Sequence, residues 1–95
     1  MAIQIEAPLR VSVIIINWNG MEFIERCLNS IIASDMDKSG YEVIVADNAS
    51  GDNSASLVRE RFPGVRLLEF KENNGFCKGN NLAASSAKGK YLFFL

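Results

Sequence analysis

Apolar residues along the chain fall into four short runs, at residues 11–16, 42–46, 66–70 and 91–95. Each run is rich in Val, Ile, Leu or Phe, and the first and last are almost continuously apolar. A short continuous run is typical of a strand covered on both faces in a parallel sheet. We therefore predict four strands and expect the first and the last to be buried on both faces.

The stretches between these runs have the periodicity of helices. In residues 21–34 the apolar positions fall on one helical face and comprise Ile24, Cys27, Leu28, Ile31 and Ile32. A second helix is predicted over residues 53–62, with Asp52 or Asn53 as its cap and Pro63-Gly64 as its stop. The third is predicted over residues 76–88, where Gly89 ends it. Its inward positions are Leu82, Ala83, Ala84 and Ala87.

Strands and helices therefore alternate as β-α-β-α-β-α-β with short connections. This order implies right-handed crossovers and a Rossmann-like, mostly parallel α/β sheet with flanking helices. We predict an irregular N-terminal arm at residues 1–9 and one domain at residues 10–95. The last residue lies inside the fourth predicted strand, from which we expect a fragment or a partly ordered chain.

Composition and charge exclude several classes of protein. The chain has 95 residues, 48 % of them hydrophobic, so it can form one small core. Ten basic and 11 acidic residues give a net charge of -1, which does not favour nucleic acid as a partner. There is no histidine, which disfavours zinc sites and excludes Ser–His or Cys–His nucleophiles in this chain.

The two cysteines, Cys27 and Cys77, are too few for a disulfide scaffold and favour a reducing, cytoplasmic setting. We expect both to have packing roles, since Cys27 lies on the apolar helix face and Cys77 has no base near it in sequence. No segment has the roughly 20 apolar residues that span a bilayer. Residues 1–8 lack the pattern of a signal peptide.

Three polar segments follow the first three predicted strands, at residues 17–20, 47–52 and 73–81. Open α/β sheets bind ligands outside the carboxyl ends of their strands, where the strand order reverses. The three segments would bring amides, a carboxylate, an aromatic ring and glycines to that edge. This set of groups suits a nucleotide.

Each group has a possible role toward a nucleotide. Trp18 would stack on the base or form a wall beside it, and Asp47 would accept hydrogen bonds from a base imide or from ribose hydroxyls. Gly75 and Gly79 would allow close approach of the backbone, because they carry no Cβ. Asn80 would add an amide near a helix N-terminus, which favours a phosphate.

The same residues are also compatible with purely structural roles. Asn, Asp, Ser and Gly after a strand are common turn and cap residues, so each segment taken alone favours a structural role. Trp18 is as compatible with a plug at the open end of the sheet, because Trp is often substantially buried. Lys78 is interpreted as a solvated side chain.

Taken together, the segments resemble family 2 glycosyltransferases. Residues 11–19 read VSVIIINWN and resemble the opening strand of that family, and residues 42–50 read EVIVADNAS and resemble its second strand. Residues 73–81 read NNGFCKGNN and resemble the NxGFAxGNN segment of its rhamnosyltransferase-like subgroup. Residues 91–95 read YLFFL and resemble the strand that leads into the family's DxD motif.

The resemblance implies the first half of a GT-A fold that binds a nucleotide-diphosphate sugar, of the UDP or dTDP type, for inverting transfer to an acceptor hydroxyl. It implies a glycan or lipid-linked acceptor in polysaccharide or cell-surface glycan synthesis. The DxD carboxylates, which hold Mg²⁺ or Mn²⁺, and the general base would lie beyond Leu95. We therefore expect a cytoplasmic enzyme, working also at the inner membrane face, of which this chain alone is inactive.

The resemblance also assigns residues. The first two segments would contact the base and ribose, and the third would border the donor. The assigned positions are Ile16, Asn17, Trp18, Asn19, Asp47, Asn48, Asn73, Gly75, Gly79 and Asn80. This chain departs from the pattern at Asn17, where many members have Thr or Ser, and at Cys77, where Ala is usual.

Two other classes of protein remain open. One is a non-catalytic nucleotide-binding or assembly module that self-associates through the apolar last strand, residues 91–95. The other is a nicotinamide-binding domain, since Asp47 stands where such folds place the ribose-binding acid. The turn after the first strand has only Gly20 and lacks the GxGxxG fingerprint, which disfavours this class.

Overall fold

The computed structural model describes residues 9–34 and 40–95. In order, the elements are β1 (Val11–Asn17), α1 (Ile24–Ile32), β2 (Tyr41–Asp47), α2 (Ser54–Arg61), β3 (Arg66–Glu69), α3 (Gly75–Ser86) and β4 (Tyr91–Phe94). The predicted alternation of strands and helices is confirmed, with ends that differ by a few residues. Of the predicted arm, residues 1–8 lie outside the described part of the chain.

The four strands form one sheet in the order β3-β2-β1-β4, and every pair is parallel. The chain therefore builds outward from β1 through β2 to β3 and then crosses to the other side of β1 to add β4. Strand order reverses between β1 and β4. In this architecture the crevice at such a reversal, at the carboxyl ends of the strands, is where ligands bind.

Helices cover the sheet on both faces. On one face, α1 and α2 pack on alternate residues of β1 and β2, in a core formed by Val13, Ile15, Ile24, Leu28, Val43, Val45, Val58 and Phe62. On the other face, α3 packs through Ala83 against Ile14, Ile44 and Ala46. The alternation of side chains along each strand divides the apolar run of β1 between these two cores.

The prediction that the last strand is buried on both faces is wrong for the described residues. Tyr91 and Leu92 are 57 and 43 % exposed, and Phe93 and Phe94 are 54 and 47 % exposed. β4 is an edge strand that pairs only with β1, while the described helices pack over β1, β2 and β3. An apolar run indicates that a strand tends to be covered, but it does not supply the covering element.

Two helix positions predicted to face inward are also exposed. Ile32 is 41 % exposed in the last turn of α1, and Leu82 is 40 % exposed in α3. In α3 the small residues Gly79 and Ala83 face the sheet, which brings the helix close and leaves Leu82 at its side. Cys27 is half-buried against the α1–α2 core, which confirms its packing role, and burial raises the pKa of its thiol.

Candidate functional site

Three loops meet at the carboxyl edge of the sheet: the first loop (residues 18–23), the second loop (48–53) and the third loop (70–74). Asn17 and Asp47 end β1 and β2 in register. The Asn48 N–H donates to the Asn17 carbonyl at 2.8 Å, and the Phe70 N–H donates to the Asp47 carbonyl at 2.9 Å. Each loop therefore begins beside its neighbour, as predicted for one binding edge.

Asn19 joins the first loop to the second. Its Oδ1 accepts hydrogen bonds from the Gly51 and Asp52 N–H groups at 2.7 and 3.3 Å, and its own N–H donates to Ser50 Oγ at 2.9 Å. Its φ of 51° is left-handed, a conformation that Asn tolerates better than most residues. The first loop is thereby fixed in place by the second.

A buried hydrogen-bond network lies beneath these loops. Asn17 Nδ2 donates to Asp47 Oδ1 and to Ser54 Oγ, both at 2.8 Å. Asp47 also accepts from the Ser50 N–H at 2.9 Å and from Ser50 Oγ at 2.6 Å. Asn17 and Asp47 are each 4 % exposed. In this structure the Asp47 carboxylate, predicted to contact a base or ribose, bonds to the loops themselves.

Sequence reasoning did not assign roles to several residues that shape this network. Ser50 and Ser54 complete the bonding around Asn17 and Asp47. A Cβ on Gly20 would lie 2.2 Å from Asn17 Oδ1, so Gly20 leaves the space that the Asn17 amide fills. The sequence signal for the serines was the polar run after β2, which is equally typical of an ordinary turn.

Asp52 links the start of α2 to the first loop. It accepts hydrogen bonds from the N–H and hydroxyl of Ser54 and, at 3.1 Å, from the Met21 N–H. The Ser54 hydroxyl, with the backbone bonds from Ser54 and Met21, outweighs partial desolvation and lowers the pKa of the Asp52 carboxyl. Of the two predicted caps, Asn53 is the N-cap residue but makes no side-chain cap bond, and the carboxylate of Asp52 accepts from the Ser54 N–H beside the helix N-terminus.

The third loop is held by Asn48, which is 2 % exposed. Asn48 Oδ1 accepts from the Asn74 N–H, and Asn48 Nδ2 donates to the Gly75 carbonyl, both at 3.1 Å. A Cβ on Gly79 would lie 3.1 Å from Asn48 Nδ2 and 3.3 Å from Ile16 Cδ1. Gly79 therefore permits close packing of α3 on Asn48, rather than leaving room for a ligand at that point.

Trp18 is exposed at the end of β1, with 58 % of the residue accessible. The alternative in which it plugs the sheet is therefore wrong, because a plug would be buried. It lines a cavity of about 210 Å³ on the α1 side, together with Ile15, Ile16, Asn17, Gly20, Phe23, Ile24 and Cys27. An exposed ring beside an apolar cavity suits a flat, partly apolar ligand group.

A second, wider cavity of about 450 Å³ opens on the α3 side of the same edge. Its lining consists of Phe76, Cys77, Asn80, Asn81 and Phe94. Cys77 is exposed in the lining of this cavity, so its predicted packing role is wrong. The smaller cavity lies at the end of β1 on the α1 face of the sheet, and the wider cavity lies at the end of β4 on the α3 face. β1 and β4 are the strands between which the strand order reverses.

Asn73 and Gly75 come just before Phe76, the first residue that lines this wider cavity. Both are exposed, and Asn73 Oδ1 accepts from the Gly75 N–H at 2.8 Å. Gly75 has a φ of 75°, which residues with a Cβ rarely adopt. Asn80, in the second turn of α3, is 8 % exposed. The structure thus brings the ten predicted site residues to one edge, some exposed and others beneath the loops.

Within residues 9–34 and 40–95, no three His, Cys, Asp or Glu side chains lie together as they would around a metal ion. The resemblance implies that the ligands of Mg²⁺ or Mn²⁺ would lie beyond Leu95, outside these residues. Over the same residues, no helix has the length and apolarity needed to cross a membrane.

The family model described as Glycosyl transferase family 2 matches residues 12–95. The chain belongs to glycosyl transferase family 2. One curated relative is the poly(ribitol-phosphate) beta-N-acetylglucosaminyltransferase TarP of Staphylococcus aureus, 34 % identical over 89 residues that cover 90 % of this chain and 27 % of TarP.

Two solved structures of glycosyltransferases are similar to this family 2 chain. S. aureus TarS 1-349 in complex with UDP-GlcNAc has a TM-score of 0.84 and 29 % identity, over 92 % of this chain and 26 % of TarS 1-349. The mannosyltransferase PcManGT from Pyrobaculum calidifontis, in complex with GDP-Man and Mn²⁺, has a TM-score of 0.80 and 33 % identity, over 90 % of this chain and 28 % of PcManGT. The likeness confirms the predicted Rossmann-like α/β architecture of a GT-A glycosyltransferase. The chain spans less than a third of the length of the relatives it matches.

Proposed function

We propose that this chain forms the nucleotide-binding part of an inverting glycosyltransferase, which transfers a sugar from a nucleoside-diphosphate donor to an acceptor hydroxyl. The observation that carries the proposal is the meeting of three polar loops beside the strand-order reversal between β1 and β4. The complexes of relatives with UDP-GlcNAc and GDP-Man support a sugar nucleotide as the class of ligand.

We assign ligand contacts to the exposed or cavity-lining residues of the edge. Trp18 and Ile16 line the smaller cavity, where the ring of Trp18 offers a stacking face for the base. Asn80 lines the wider cavity, and the exposed Asn73 and Gly75 come just before its lining residue Phe76, so that amides and an open backbone suit the sugar diphosphate. The donor then lies across the ends of β1 and β4.

Asn17, Asn19 and Asp47 act on the nucleotide through the loops they hold. The hydrogen-bonding groups of their side chains are occupied by bonds that join the first loop to the second. Such bonds keep the ligand-binding backbone in one conformation before the donor arrives, which lowers the entropic cost of binding. In this proposal the described residues supply binding and orientation, and no three His, Cys, Asp or Glu side chains among them lie together as around a metal ion.

For the whole protein, we propose a glycan or lipid-linked acceptor in polysaccharide or cell-surface glycan synthesis. The poly(ribitol-phosphate) named for TarP is an acceptor polymer of that kind. A divalent metal at the diphosphate is part of this proposal, supported by Mn²⁺ in the PcManGT complex. We further propose that the protein acts in the cytoplasm, including the inner membrane face, which the free thiols support. The segment at residues 73–81 supports a dTDP-deoxysugar as the donor.

The test is calorimetric titration of the 95-residue chain with UDP-GlcNAc, GDP-mannose and dTDP-rhamnose, each with and without Mn²⁺, and with NAD as the matched control. We expect at least one sugar nucleotide to bind and NAD to give no heat. Binding of NAD without a response to any sugar nucleotide would reject the transferase proposal. A radiolabel assay that detects sugar transfer by the isolated chain would reject the assignment of catalysis to other residues.

A second candidate is an assembly module, and the exposure of β4 favours it. This edge strand presents apolar side chains on both faces and an outer row of backbone groups able to pair with another strand. Light scattering separates the two functions. The assembly function is favoured if the chain binds no nucleotide and forms concentration-dependent dimers that Phe93→Lys abolishes. A monomeric chain that binds a sugar nucleotide would reject the assembly function.

A further inference from the structure

Asn48 lies where the three loops meet. It is the first residue after β2, and it is 2 % exposed. Its N–H donates to the carbonyl of Asn17 at 2.8 Å, which ties the second loop to the end of β1. Its side chain points away from the network of Asn17 and Asp47 and bonds instead to the third loop.

Both functional groups of the Asn48 amide are used by two successive backbone groups at the start of α3. Oδ1 accepts from the Asn74 N–H and Nδ2 donates to the Gly75 carbonyl, each at 3.1 Å. Only a side chain with a donor and an acceptor at this spacing makes both bonds. An aspartate would keep the first bond and would face the Gly75 carbonyl with a second acceptor.

The contact with Gly79 fixes the distance between Asn48 and α3. A Cβ at Gly79 would lie 3.1 Å from Asn48 Nδ2, closer than ordinary van der Waals contact. The helix backbone thus rests directly on the amide that bonds to its first residue. Asn48 therefore sets both the position of the first turn of α3 and its separation from β2.

The first turn of α3 forms one wall of the wider cavity through Phe76 and Cys77, and Asn80 extends that wall in the second turn. Any shift of the first turn changes the cavity between α3 and the end of β4. We infer that Asn48 is a positioning residue: it sets the affinity of the edge for a sugar nucleotide by holding the first turn of α3, without contacting the ligand. This inference rests on the proposed function for its effect on affinity.

The test compares Asn48→Asp and Asn48→Ala with Asn29→Asp, which introduces the same charge at an exposed position of α1. Sugar-nucleotide affinity is measured by titration, and exchange of the Asn74 and Gly75 amide hydrogens by NMR. We expect both Asn48 variants to weaken binding by about tenfold or more and to speed this exchange, whereas Asn29→Asp changes neither. Circular dichroism of each variant confirms that the measured sample is folded.

A double-mutant cycle with Gly79→Ala tests the geometry independently of any ligand. Gly79→Ala should speed Asn74 exchange in the parent chain and have a smaller effect in the Asn48→Ala background, because the amide that its Cβ meets is then gone. Additive effects would overturn the inference. So would folded Asn48 variants whose exchange and affinity match those of the parent.

Failure of the inference differs from failure of the proposed function. If the parent chain binds a sugar nucleotide and Asn48→Asp binds it equally well, the positioning role is wrong and the proposed function stands. If the parent binds none of the sugar nucleotides, the proposed function fails and the inferred effect on affinity fails with it. The exchange measurements then decide whether Asn48 holds the first turn of α3.

Discussion

Asn17 and Asp47 end neighbouring strands in register, and the Asn17 amide donates a 2.8 Å hydrogen bond to the Asp47 carboxylate. The pair is buried, and Ser54 Oγ accepts a second bond from the same Asn17 nitrogen. Two strands that are distant in sequence thereby share one polar centre beneath the binding edge. In this family 2 chain the pair makes the first and second loops a single unit.

Replacing Asn17 with Leu should destabilise the fold by about 1–3 kcal/mol, because Asp47 and Ser54 lose a buried donor. Urea unfolding followed by circular dichroism measures the change. Asn29→Leu makes the same chemical change on the exposed side of α1 and should shift stability by no more than about 0.5 kcal/mol. Equal losses of stability in the two variants would show that the buried hydrogen bonds of Asn17 add nothing to the free energy of unfolding.

Gly20→Ala should also destabilise the fold, by about 1–3 kcal/mol. Its Cβ would lie 2.2 Å from Asn17 Oδ1, and Asn17 cannot move away without breaking its bonds to Asp47 and Ser54. Gly64→Ala is the control, because a Cβ there meets no atom within 4 Å. Thermal unfolding of both variants measures the difference, and a Gly20→Ala protein as stable as Gly64→Ala would contradict the packing described for the first loop.

Trp18→Ala should weaken sugar-nucleotide binding by about 1–3 kcal/mol and change the free energy of unfolding by less than about 1 kcal/mol. The ring is mostly exposed, so its removal leaves little buried apolar surface uncovered. Trp18→Phe keeps an aromatic face and should retain most of the affinity. Titration and urea unfolding on the same samples separate the two effects, and a large loss of stability with unchanged affinity would assign Trp18 to packing.

Acid should lower the stability of the fold by protonating Glu42, which lies at the amino end of β2, away from the binding edge. Burial raises the pKa of Glu42, but bonds from the Ser12 hydroxyl and the Lys88 N–H, with the charges of Arg66 and Lys88, outweigh it and lower that pKa. A folded-state pKa below the unfolded one gives stability that is fully present above about pH 4.3 and is lost as pH falls through the folded-state pKa.

The measurement is urea unfolding between pH 7 and pH 3. Glu42→Gln should be less stable than the parent at pH 7 and should lose less stability on acidification, because it removes the titrating carboxyl. Glu60→Gln, on the exposed surface of α2, serves as the control and should follow the parent. Parallel pH curves for the parent and Glu42→Gln would show that Glu42 has the same pKa in the folded and unfolded chain.

The regular elements were predictable because their signals are local. The apolar run of β1 and the helical spacing of Ile24 and Leu28 depend only on neighbours in sequence, and both residues are buried as expected. The parallel order followed from the alternation of strands and helices. Exposure of Leu82 and of β4 was not predictable, because it depends on which other element lies over them.

The sequence by itself determined the α/β class, the family and the set of polar residues at the ends of the strands. Their division into exposed contacts and buried supports was decided only by the tertiary structure. Asn17, Asp47 and Asn48 read as loop residues in sequence, yet each is buried by segments that lie 26 to 37 residues away. Residue type and spacing specify which hydrogen bonds a side chain is able to make, but the partner is chosen by folding, which brings distant segments of the chain within bonding distance.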